Sequence, residues 1–115
     1  MDKAAKKETF AWLFVRVSGV LVLFLALGHL YIMHIANSVD TIDADFVKNR
    51  LQNPLWKTYD FFLLALALSH GSLGVKTILE DVIPNKKVLG GAKIALGLFG
   101  LALFCLGLAV FIKNL

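Results

Sequence analysis

The chain has 115 residues, of which 58% are hydrophobic, and its mean hydropathy is +0.75. This composition excludes a soluble domain of this size and is typical of a small integral membrane protein. The net charge of +4 comes from basic residues near the ends of apolar runs, a pattern of membrane orientation that argues against nucleic acid as a partner.

Three apolar runs are long enough to cross a bilayer, and they predict an all-α integral membrane protein. The runs cover about residues 11–36, 59–82 and 93–112, and about 20 apolar residues suffice for one crossing. No small-residue cleavage pattern follows the first run, so we interpret it as a retained span. The sequence contains no repeat and no soluble domain. We therefore expect a single membrane-anchor domain over residues 1–115, folded as a three-helix bundle.

Two further segments have recognisable patterns. The polar segment between the first and second runs carries apolar residues at the spacing of a short amphipathic helix at the membrane interface: Phe46, Val47 and Leu51. The third run carries small and aromatic residues along one seam, which predicts close packing against a neighbouring helix: Gly90, Gly97, Gly100, Phe104, Gly107 and Phe111.

Lysines and arginines near the ends of the runs predict the orientation of the chain. The side with the N-terminus and the second loop has six of them: Lys3, Lys6, Lys7, Lys86, Lys87 and Lys93. The opposite side has four: Lys48, Arg50, Lys57 and Lys113. The positive-inside rule therefore predicts a cytoplasmic N-terminus and a C-terminus outside.

The second run has a histidine at its centre, His70. An ionisable side chain in the middle of a membrane span is a functional-site hypothesis by default. Imidazole is the usual axial ligand of haem iron, and a b-type haem needs two histidines from facing helices and small residues that let the flat ring approach. Gly71 and Gly74 satisfy the second requirement. The alternative is a packed histidine that bonds a backbone carbonyl.

The first run contains two histidines, His29 and His34, that are about 140° apart around a helix, so both cannot face one ring. His29 follows Gly28 within the apolar core, whereas His34 is closer to the polar loop. We therefore favour His29, and not His34, as the possible haem ligand of this run. With the N-terminus inside, His29 lies toward the outer leaflet and His70 near the middle or inward, which suits two haems at different depths.

Charged and polar residues near the cytoplasmic ends of the first two runs suggest a second site. Asp81 follows His70 by eleven positions, so the two share a helix face to within about 20° and lie about 16 Å apart along the axis. We expect Arg16, Ser18 and Asp81 at one membrane level. There they could bind a quinone headgroup or a haem propionate and supply protons. A snorkelling arginine that fixes the depth of the helix is the alternative for Arg16.

Three motifs together resemble the small hydrophobic anchor subunit, the D subunit, of bacterial succinate dehydrogenase, respiratory complex II. They are Arg-Val-Ser-Gly at 16–19, Gly-His at 28–29 and Ser-His-Gly-Ser-Leu-Gly-Val-Lys-Thr-Ile-Leu-Glu-Asp at 69–81. In that family the histidine matching His70 is an axial haem b ligand, and the aspartate matching Asp81 borders the quinone site. The arginine matching Arg16 belongs to the same cytoplasmic region.

The resemblance implies a haem b-binding anchor in the inner (plasma) membrane that has no active site of its own for succinate. Its implied partners are a second cytochrome b anchor subunit, an iron–sulfur subunit, a flavoprotein subunit, quinone and membrane lipid. One or two haems would be shared with the second anchor chain. Many members have a tyrosine after the aspartate, where this chain has Val82, a difference that would pass the quinone contact to a partner. The alternatives are the anchor of a fumarate reductase and a cofactor-free structural subunit.

Overall fold

The computed structural model describes residues 2–113, and long helices make up most of this part of the chain. Three helices have the length and hydropathy to cross a membrane. They are α1 (Lys3–Tyr31), which continues as a π-helical turn over Ile32–Ala36, α3 (Pro54–Val82) and α4 (Lys86–Lys113). The short helix α2 (Ala44–Gln52) lies between α1 and α3. The predicted all-α membrane bundle is confirmed.

Each long helix begins several residues before the apolar run that predicts it, because local capping groups define its start. The Asp2 carboxylate accepts a hydrogen bond of 2.7 Å from a backbone N–H in the first turn of α1. Asn53 caps α3 in the same way at 2.9 Å, with Pro54 at the first helical position. The Asn85 side chain accepts a 2.9 Å hydrogen bond from the first turn of α4.

Helix α3 occupies the middle of the arrangement. It packs along both α1 and α4, whereas α1 and α4 share little contact with each other. The longest dimension of the molecule is 47 Å, close to the length of about 43 Å expected for each long helix. The long helices therefore run roughly along the same axis.

The predicted seam of α4 packs on α3 through its C-terminal part. Phe104 and Phe111 both lie against Phe61, with ring centroids 6.3 and 6.0 Å apart. Gly107 lies so close to Leu64 that a Cβ atom there would collide with its side chain. Two other glycines of the seam face open space instead: Gly90 and Gly97. The seam is thus confirmed for its second half, where small residues let the helices approach.

Helix α2 is the predicted amphipathic helix, and it packs on α3 through Leu51 and Arg50, which are both buried. The Arg50 guanidinium donates two hydrogen bonds of 2.8 Å to the carboxylate of Asp60. It also lies 4.5 Å from the ring centroid of Trp56. A buried arginine is tolerated only with such a partner, because the paired carboxylate offsets the cost of removing the charge from water.

Almost all large apolar side chains are exposed or half-buried. Within residues 2–113, Leu51 is the only buried hydrophobic side chain, and the only other buried residues are Ser18 and Arg50. Apolar surface on this scale marks contact with lipid or with other proteins. The chain therefore needs a bilayer, and part of its exposed apolar surface is available for contact with partner subunits.

Candidate functional site

The centre of the site is a hydrogen bond between the first two membrane-crossing helices. The Ser18 hydroxyl of α1 lies 3.0 Å from Nδ1 of His70 on α3. The same hydroxyl donates a hydrogen bond to the carbonyl oxygen of Val15, at 3.2 Å. Ser18 is 1% exposed, the lowest value among the buried residues. A polar group buried this deeply needs hydrogen-bond partners, and His70 is one of its two.

The imidazole of His70 lies directly against the backbone of α1. A Cβ atom built on Gly19 would be 3.0 Å from Cε1 of His70 and 3.6 Å from Nε2. Any side chain at this position would therefore press on the ring. Gly19 belongs to the Arg-Val-Ser-Gly motif, but the sequence alone does not reveal that its role is to make room for His70.

The second ring nitrogen of His70, Nε2, has no hydrogen-bond partner among residues 2–113. Because no buried side-chain nitrogen or oxygen in this part of the chain lacks a partner, Nε2 is not enclosed by the chain. Gly74, one turn further along the same face of α3, has open space where a Cβ atom would be. These features fit a ligand of a flat macrocycle: one nitrogen is held by the protein, the other has no partner within the chain, and a small residue follows on the same face.

The two predicted glycines after His70 have different surroundings. Gly74 shares its face of α3, because residues four positions apart lie about 40° apart around a helix. Gly71 instead lines a shallow groove of about 170 Å³ on the α4 side, together with Gly100. Only Gly74 is therefore placed to border a ring ligated by His70.

The histidines of α1 lie at a different depth from His70. His70 contacts α1 at Gly19. His29 lies ten residues after Gly19, which is about 15 Å further along the helix axis. His29 is half-buried, whereas His34 is exposed and lies in the π-helical turn. Neither side chain bonds another residue in the described part of the chain. Ligation by His29 stays a prediction, but His29 and His70 are too far apart to bind one iron.

A second contact between α1 and α3 lies next to His29. The hydroxyl of Tyr59 donates a hydrogen bond of 2.6 Å to the carbonyl oxygen of Leu25. A Cβ atom built on Gly28 would be 2.5 Å from that hydroxyl oxygen. Like Gly19, Gly28 therefore accepts the tip of an α3 side chain. Sequence analysis missed this contact, although the glycine before His29 was a signal of it.

Arg16 lies in a groove of about 500 Å³ between α1 and α3. Its guanidinium is 4.2 Å from the ring centroid of Trp12, a distance typical of a cation–π contact. On the α3 side the groove is lined by Leu73, Lys76, Thr77 and Glu80. Glu80 also forms an ion pair of 2.7 Å with Lys93, which joins the end of α3 to α4.

The structure does not bring Arg16, Ser18 and Asp81 together. Ser18 faces His70, and Arg16 lines the groove that Glu80 reaches. Asp81 is exposed, and its carboxylate forms no ion pair or hydrogen bond with any residue between 2 and 113. The acidic residue nearer to Arg16 is therefore Glu80, the neighbour of the predicted one. Roles of Arg16 and Asp81 toward quinone stay predictions.

Within residues 2–113, no three His, Cys, Asp or Glu side chains come together as a metal site. A haem ligated by one histidine from each of two chains does not require such a cluster. A family model described as "Succinate dehydrogenase/Fumarate reductase transmembrane subunit" matches residues 3–112. The match includes almost all of the three membrane-crossing helices. The comparison with curated proteins found no match.

Proposed function

Because the chain belongs to the succinate dehydrogenase/fumarate reductase transmembrane subunit family, we propose that it is the haem b-binding anchor of a succinate:quinone oxidoreductase. In this role it tethers the flavoprotein and iron–sulfur subunits at the cytoplasmic face of the inner membrane and helps electrons from succinate reach quinone. Succinate itself is oxidised on the partner subunits. The same anchor would serve a fumarate reductase, in which electrons run the other way.

The observation that carries this proposal is the environment of His70. Its Nδ1 is bonded to Ser18 and its Nε2 has no partner in the described part of the chain, in the middle of a membrane-crossing helix. When bound there, the haem supplies a one-electron carrier between the iron–sulfur subunit and quinone. His70 would hold it from this chain. An Nε2 atom without a partner in the described part of the chain favours this role over that of a purely packed histidine.

A second histidine for this haem would come from another chain. His29 lies about 15 Å from the level of His70 along the helix axis, too far to bind the same iron. The outward-facing apolar surface of the helices leaves room for a second anchor subunit that would provide the missing histidine. His29 is then available for a distal haem near the outer surface, again with a partner ligand.

The groove around Arg16 is the place we propose for the quinone headgroup or a haem propionate. At the end of the bundle that carries the N-terminus, it combines the guanidinium, the indole of Trp12 and apolar side chains with three further charged groups: Glu8, Lys76 and Glu80. The arginine would offset negative charge on either group. Asp81, which is exposed on α3 at the same end of the bundle, would relay protons from the cytoplasm. Since Val82 replaces the tyrosine typical of the family, a partner chain would hold the quinone carbonyl.

The test is the haem content of the complex carrying His70→Ala. Haem per flavin in the purified complex is measured by pyridine haemochrome, with His34→Ala as a matched control because His34 is exposed. We expect His70→Ala to remove one haem's absorbance and the control to keep it. An assembled His70→Ala complex with an unchanged spectrum and haem ratio would show instead a cofactor-free role for this histidine.

A further inference from the structure

The Ser18 hydroxyl has two polar contacts but only one hydrogen. It lies 3.2 Å from the carbonyl oxygen of Val15 and 3.0 Å from Nδ1 of His70. A carbonyl can only accept, so both contacts are hydrogen bonds when the hydroxyl donates to Val15 and accepts from an N–H at Nδ1. If the hydroxyl instead donated to Nδ1, it would have no hydrogen left for the carbonyl oxygen of Val15. Because Ser18 is 1% exposed, water does not compete for either bond.

This assignment determines which histidine nitrogen can bind a metal. A neutral imidazole with its proton on Nδ1 has its lone pair on Nε2. In His70, Nε2 is the nitrogen that has no partner in the described part of the chain and is not enclosed by it. The tautomer that Ser18 favours is therefore the one that has its lone pair on the nitrogen that no residue of the described chain engages.

Gly19 restricts the same ring sterically. A Cβ atom added to Gly19 would be only 3.0 Å from Cε1 of His70, the ring atom between the two nitrogens. The edge of the ring thus contacts α1 at Gly19, while Nδ1 is bonded to Ser18. Rotation of the imidazole would therefore break this hydrogen bond or move the ring away from Gly19. Ser18 and Gly19 together hold one tautomer in one orientation.

We propose that Ser18 is a positioning residue for His70, which fixes Nε2 as the haem-ligating atom and makes the imidazole a stronger donor. This proposal rests on the proposed function, and it replaces the expectation that Ser18 contacts quinone or a propionate. A hydrogen bond from the second nitrogen of a ligating histidine raises its basicity, and loss of such a partner typically costs about 10- to 100-fold in metal affinity. A stronger donor favours the ferric state and so lowers the midpoint potential of the haem.

The test uses the purified complex with Ser18→Ala and, as a matched control, Ser18→Thr, which keeps a hydroxyl on Cβ. Two quantities are measured: the midpoint potential of the haem by redox titration, and the rate of haem transfer to excess apomyoglobin. We expect Ser18→Ala to raise the potential and to accelerate haem transfer about 10- to 100-fold. The threonine variant should stay close to the wild type in both.

Gly19→Ala provides a second variant that keeps the hydroxyl but displaces the ring, and it should also accelerate haem transfer. If Ser18→Ala leaves the potential and the transfer rate unchanged, Ser18 is only a packing residue and the proposal is wrong. Should Ser18→Ala not assemble, a Gly19→Ala complex with wild-type values would overturn the proposal. The His70→Ala haem count separates these outcomes from failure of haem ligation itself.

Discussion

Replacement of Gly28 by alanine tests the contact through which Tyr59 docks on α1. The new Cβ would be 2.5 Å from the tyrosine oxygen, and ordinary contact begins at 3.4 Å, so the side chain has to retreat by about 0.9 Å. Its 2.6 Å hydrogen bond to the carbonyl oxygen of Leu25 cannot survive such a movement. We therefore expect the substitution to separate α1 from α3 at this level or to break the hydrogen bond.

The expected magnitude combines three effects. An interhelical hydrogen bond within a membrane protein contributes about 0.6 kcal/mol on average and up to about 1.7 kcal/mol. Overpacking of a close contact costs about 1–3 kcal/mol. Alanine recovers about 1 kcal/mol relative to glycine in a helix. The net loss in unfolding free energy for Gly28→Ala is then about 1–3 kcal/mol.

A double-mutant cycle with Tyr59→Phe isolates the contact. Without the tyrosine oxygen, the nearest ring atom is Cζ, which lies 3.7 Å from the new Cβ and so makes ordinary contact. In the phenylalanine background Gly28→Ala should be neutral, or stabilise by up to about 1 kcal/mol. Gly97→Ala, which faces open space, is the control for helix propensity alone. Unfolding of the full chain in detergent is followed by far-ultraviolet circular dichroism during titration with SDS. An equal penalty for Gly28→Ala in both backgrounds would refute this reasoning.

Three further predictions concern other residues. Asp60→Asn leaves the buried guanidinium of Arg50 without its anionic partner, so it should lower the unfolding free energy in the same SDS titration by about 2–4 kcal/mol. A loss below about 0.5 kcal/mol would mean that the ion pair is effectively solvated. His29→Ala should remove a distal haem signal from the reduced-minus-oxidised spectrum while His34→Ala does not, and a complex with a single haem would contradict this. Asp81→Asn should slow succinate-to-quinone turnover partially and succinate-to-soluble-dye turnover little, whereas equal losses in both assays would indicate an assembly defect.

The membrane class, the three crossing helices and the position of His70 near the middle of one of them follow from the sequence by itself. A crossing needs about 20 contiguous apolar residues, a property of one stretch of chain that no distant contact alters. The depth of His70 within its run is equally local. The amphipathic pattern of α2 was also readable, because its apolar residues share one helix face.

Only the tertiary structure decided which side chains meet between helices. The pairing of Ser18 with His70 joins residues 52 positions apart, and that of Tyr59 with α1 joins residues 34 apart. The approach of Glu80, and not Asp81, to the groove of Arg16 is of the same kind. Such pairs depend on the axial register and rotation of one helix against another. Hydropathy specifies neither the register nor the rotation, since lipid and a neighbouring helix are equally apolar. Close contacts such as those at Gly19 and Gly28 restrict both.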